Sequence, residues 1–63
     1  MTQKELAYME DAIGHVKSII GIINETLKNL EDAQLVDFMQ QELSNHQNLQ
    51  ERLMSKLKEK ANG

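Results

Sequence analysis

No cysteine and no proline occur in this chain, and a single tyrosine and a single phenylalanine are its only aromatic residues. Without cysteine there is neither a disulfide nor a thiolate zinc site, so 63 residues must be held together by regular helix packing or by a partner. Without proline, and with glycine only at positions 14, 21 and 63, few points force the backbone out of a helix. Two aromatic rings make no stacking platform for bases, and a formal charge of -3 with scattered signs argues against nucleic acid as a partner. The longest apolar run, "IIGII" at 19–23, falls far short of the roughly 20 residues that span a bilayer, so no membrane partner is expected. The opening "MTQKELAYMED" has no apolar signal core, which leads to the expectation of a cytoplasmic chain not secreted by a signal peptide. There is no glycine-rich phosphate loop, and Ser18, Ser44 and Ser55 have no base at a spacing that would activate them. The chain is therefore read as non-enzymatic.

What is present is helical period. Thr2 followed by Glu5 is a capping box and starts the first helix. Leu6, Met9, Ile13, Val16, Ile20, Ile23, Leu27 and Leu30 then recur at alternating steps of three and four. Eight apolar residues at eight fixed positions arise by chance on the order of once in a thousand trials at this composition. A second stripe, Tyr8, Ala12, His15, Ile19 and Ile22, flanks the first and widens the apolar arc to about 200° of the wheel, more than one neighbouring helix covers. At "NLEDAQ", residues 29–34, the pattern lapses: Lys28 and Asn29 suit a helix end, and Asp32 suits the N-cap of a new helix. The expected layout is one helical-hairpin domain over 1–63, with helix 1 at about 3–29, a turn at about 30–32 and helix 2 at about 33–60. The inward candidates of helix 2 are Leu35 or Val36, Met39, Glu42 or Leu43, His46, Leu49 or Gln50, Leu53 and Leu57. Met9, Met39 and Met54 are read as packing residues. Arg52, Lys56, Lys58 and Lys60 complement the negative end of the last helix.

Because helix 1 needs two neighbours and the chain supplies one, the expected fold is all-α: a two-helix antiparallel hairpin that dimerises into a four-helix bundle. Its dimer core would be Leu6, Met9, Ile13, Val16, Ile19, Ile20, Ile23, Leu27, Met39, Leu43 and Leu53. Gly14, Ser18 and Gly21 fall on the opposite, polar arc, where the glycines are either tolerated surface residues or points of close approach by a further chain.

Two histidines sit among these stripes, and each follows a carboxylate by four residues: Asp11 before His15 and Glu42 before His46. About a turn centred near residue 31 the two histidines lie nearly level. Two imidazoles with two carboxylates have the composition of a first-row metal site, with zinc or iron as the cofactor such a site would take. The competing readings are a solvated Asp11, a His15 at the edge of the apolar arc, and a Glu42–His46 polar layer that sets register.

The segment "KELAYMEDAIGHVKSIIGIINETLKNLEDAQLVDFMQQELSNHQNLQERLMSKL", residues 4–57, resembles the small spore coat protein F family of endospore-forming bacteria, with "EDAIGH" at 10–15 its most distinctive part. The resemblance implies a ferritin-like bundle, a structural role in or near the spore coat, and other coat proteins as partners beyond the homodimer. Ferritin-like metal enzymes use a Glu-x-x-His spacing, whereas Glu42 and His46 are separated by three residues. "QQELS" at 40–44 is similar to the Ser-Gln-Glu-Leu-Asp signature of small sporulation aspartyl-phosphate phosphatases. Gln40 replaces the serine and Ser44 the aspartate on which that activity depends.

Overall fold

In the computed structural model residues 1–62 are described, and they form two α-helices, α1 (Gln3–Leu27) and α2 (Ala33–Asn62), packed against each other as a hairpin. The start of α1 follows from its first four residues. The Thr2 hydroxyl accepts from the Glu5 backbone N–H at 3.0 Å, and the Glu5 carboxylate accepts from the Thr2 N–H at 2.8 Å, so two of the orphan donors of the first turn are satisfied reciprocally. Hydrogen bonds from Thr2 to the Glu5 carboxylate, from its backbone N–H first and from its hydroxyl second, hold the Glu5 carboxyl below its ordinary value.

α1 stops two residues earlier than the apolar spacing suggests. The Thr26 hydroxyl turns back to donate to the Ile22 carbonyl at 2.8 Å, and the Asn29 side-chain amide donates to the Glu25 carbonyl at 3.0 Å. Asn29 N–H also donates to the Thr26 carbonyl at 3.0 Å, a three-residue bond that tightens the chain out of the α-helix. Asp32 then takes the N-cap position of α2: its Oδ1 accepts from Gln34 N–H at 2.9 Å and Leu35 N–H at 3.1 Å. No residue between Ala33 and Asn62 breaks the helix, and α2 runs two residues beyond the expected end.

Thirty residues at 1.5 Å rise give about 45 Å, and the hairpin measures 46 × 15 × 11 Å. It is two helices wide and one thick. Its seam is the stripe from Leu6 to Leu27 on α1, continued by Leu30 in the turn, against Val36, Met39, Leu43, His46, Gln50, Leu53 and Leu57 on α2, all at least half-buried. Among the described residues only Val16, 8% exposed, and Ile23, 4% exposed, are buried, because a slab one helix thick has no second layer to close over the rest. The ambiguous positions resolve in three ways. Val36 faces inward and Leu35 outward; Glu42 and Leu43 are both half-buried; so are Leu49 and Gln50. Met54, expected in the packing, is exposed.

Candidate functional site

The two long sides of the hairpin differ in chemistry. One side is opened by Glu10, Gly14, Met54 and Lys58, which line a common depression. The remaining positions there are polar or small: Lys17, Asn24, Gln40, Gln47 and Gly21 are exposed. A β-carbon placed on Gly14 or Gly21 would meet nothing within 4 Å, so neither glycine serves a close approach within the chain.

The other side is opened by Tyr8 and Lys56, which line a second depression together with Met9 and Leu57. Residues seven apart share a helical position, so Leu35, Glu42 and Leu49 open on the same side as Lys56, and Ile22 and His15 on the same side as Tyr8. Phe38 and Ile19 fall beside them, one turn along their helices. The result is a continuous apolar face over both helices, with Ile22 63% exposed and Phe38 57% exposed, and with Tyr8, Leu35 and Ile19 also exposed. The second stripe of α1 is legible in the sequence. Its extension onto α2 through Leu35 and Phe38 is not singled out there, although their i, i+3 spacing one step off the seam is the signal that marks it.

The polar members of this face include the two histidines, Glu42, Arg52 and Lys56. His46 is half-buried, and its Nδ1 lies 2.6 Å from the Glu42 carbonyl oxygen and 3.7 Å from the Glu42 Oε2. The first distance is a hydrogen bond and the second is too long for one. A carbonyl only accepts, so Nδ1 carries the proton in this geometry, and the bare nitrogen of a neutral ring is Nε2. His15 is exposed and shares a shallow surface depression with Asp11, Glu10, Gly14 and Ser18. The four sequence candidates thus form two pairs, Asp11 with His15 on α1 and Glu42 with His46 on α2. Among the described residues no group of three or more histidine and carboxylate side chains converges as a metal shell would require. In the "QQELS" segment, Gln40, Gln41 and Ser44 are exposed while Glu42 and Leu43 turn toward the seam.

Among the described residues no helix is long and apolar enough to cross a membrane. No family model, no curated protein and no solved structure matches this chain.

Proposed function

We propose that this hairpin is a non-enzymatic structural and assembly protein that pairs with a second copy through its apolar face, giving a ferritin-like four-helix bundle. The observation that supports the reading is uncovered area. A compact monomer of 7.2 kDa exposes about 4,100 Å². This chain exposes 5094 Å², an excess of about 1,000 Å², close to the roughly 800 Å² that each partner buries in a standard interface. The face through which the excess is lost is the one carrying Ile22 and Phe38, since the opposite side sets its exposed Met54 among polar and small residues. Sedimentation velocity at micromolar concentration tests it. The expected species has twice the monomer mass of 7.2 kDa, and a monomer overturns the reading.

A spore-coat setting, with other coat proteins as further partners, rests on the "EDAIGH" stretch alone. Its test is recovery of the chain in coat extracts of purified endospores from a strain that encodes it. A second reading, a bundle that holds zinc or iron, is favoured by one observation, the half-buried His46 with Glu42 beside it. It predicts that either ion raises the melting temperature of the native chain and that His46→Ala removes the effect.

A further inference from the structure

We propose that the polar side, the one carrying Glu10, Met54 and Lys58, is a second contact between copies: a further hairpin lies on it with its turn at the same end, related by a two-fold axis along the length of the hairpin. This contact is separate from the apolar-face dimer proposed above and adds to it. Two different two-fold contacts on opposite sides of a slab give a stack that does not close on itself.

The charges of this side are ordered by height. Glu10 on α1 and Lys58 on α2 line one depression together with Gly14 and Met54, which sets Glu10 level with Lys58 and Gly14 level with Met54. A step of seven residues keeps a residue on the same side of its helix, and the two helices run in opposite directions with the same rise. Lys17, seven after Glu10, is therefore level with Glu51, seven before Lys58. By the same step Asn24 is level with Ser44, and Gly21 with Gln47. All of these residues are exposed. Among the described residues the salt bridges are Lys28–Glu25, His46–Glu42 and Lys56–Glu59, so Glu10, Lys17, Glu51 and Lys58 have no ionic partner within the chain.

A two-fold axis along the hairpin keeps every residue at its own height and lays α1 over the partner's α2. Glu10 then meets the partner's Lys58 and Lys17 meets the partner's Glu51, each twice by symmetry. Met54, 53% exposed, enters the space over the partner's Gly14, where a β-carbon would meet nothing within 4 Å in the lone hairpin. Asp37, the remaining acid of α2 on this side, falls opposite the turn, beyond the end of α1. The side measures 46 × 15 Å, which is close to the roughly 800 Å² that each partner gives to a standard interface. Turns at opposite ends also pair unlike charges if Glu10 meets the partner's Lys17. That arrangement sets Met54 on the partner's Met54 and Gly14 on the partner's Gly14, bulk on bulk and gap on gap, and packs worse. Exposed ion pairs contribute little each, so the contact is weak, concentration-dependent and screened by salt.

Sedimentation velocity of the native chain from about 10 μM to about 1 mM, at about 0.1 M salt, tests the contact. Growth beyond twice the monomer mass of 7.2 kDa is expected as concentration rises. Raising the salt to about 1 M, which shortens the screening length from about 10 Å to about 3 Å, is expected to reverse it. Glu10→Lys is expected to weaken this growth about tenfold, and adding Lys58→Glu in the same chain is expected to restore it. Gly14→Leu, whose side chain has open space in the lone hairpin, is expected to keep its helical circular dichroism and lose the growth. A species that stays at twice the monomer mass throughout overturns the second contact and leaves the apolar-face dimer standing. A chain that is monomeric at micromolar concentration and pairs only near the top of the range, with the same response to Glu10→Lys, supports the second contact and overturns the apolar-face reading. Growth that Glu10→Lys leaves unchanged overturns the second contact. Rescue of Glu10→Lys by Lys17→Glu and not by Lys58→Glu overturns the orientation.

Discussion

The Nδ1 atom of His46 points back along its own helix to the Glu42 carbonyl oxygen, 2.6 Å away. This fixes which nitrogen of the neutral ring carries the proton. A long-range proton-nitrogen NMR spectrum is expected to show His46 as the Nδ1–H tautomer, leaving Nε2 as the atom that a metal would take. The exposed His15 ring should average between tautomers. An Nε2–H form for His46 would show that the intrahelical bond does not persist in solution.

The covered pair Val16 and Ile23 carries the seam, so truncation there should cost more than anywhere else. Ile23→Ala is expected to lose about 3 kcal/mol, and Ile23→Val about 1 kcal/mol. Urea unfolding followed by circular dichroism measures both. Because a chain of this size has little stability to spare, the alanine variant should be largely unfolded at micromolar concentration. An alanine loss no larger than the valine loss would mean that the seam is not where the fold is held.

Ile22→Gln and Phe38→Gln touch the exposed face and not the seam. Each removes apolar surface worth about 2 kcal/mol per copy if covered in a dimer, about 4 kcal/mol for the two copies together, which raises the dimer dissociation constant roughly a thousandfold. Sedimentation equilibrium at several concentrations reads this directly. Unchanged association in both variants would remove this face from the interface.

The two caps are expected to contribute separately. Thr2→Ala and Asp32→Ala should each lower stability by about 1 kcal/mol, by urea titration at neutral pH. The Glu5 half of the first cap adds a pH signature. Its carboxyl is held below 4.5 in the folded chain, so its contribution is fully present above that value and is lost as pH falls through the lowered one. Glu5→Gln should therefore be less stable than the native chain at neutral pH, with the difference closing under acid. A difference that stays constant with pH would mean that the carboxylate charge plays no part in the cap.

Gly14 and Gly21 have open space where a β-carbon would sit. Gly14→Ala and Gly21→Ala are each expected to stabilise the hairpin by about 1 kcal/mol, read from thermal melts at fixed concentration. A loss of stability at either site would reveal a close approach by another chain on the polar side.

The helices, the Thr2 cap and the Asp32 cap are legible in the sequence because each depends on neighbours within a turn or two. The end of α1 is less so. The spacing of Leu27 and Leu30 continues the stripe, whereas Thr26 and Asn29 bend the chain with side-chain bonds that compete with the helix. The choice between Leu35 and Val36 is decided by packing across the seam, which periodicity alone leaves open. His15 and His46 show the same boundary. Their i, i+4 carboxylates are visible in the sequence, but whether two such pairs converge depends on the rotation of each helix about its axis, and here they stay as two pairs.

A core of two residues among those described has a consequence for the life of the chain in a cell. If the apolar face is closed only by a second copy, folding and association are one equilibrium, and the fraction of chains open to proteases rises as their number falls. Such a protein sets its own threshold of abundance. Made sparsely, it is degraded almost as fast as it appears; made in a burst, it outlasts its synthesis. Its half-life should therefore lengthen with expression level, with no change to the degradation machinery.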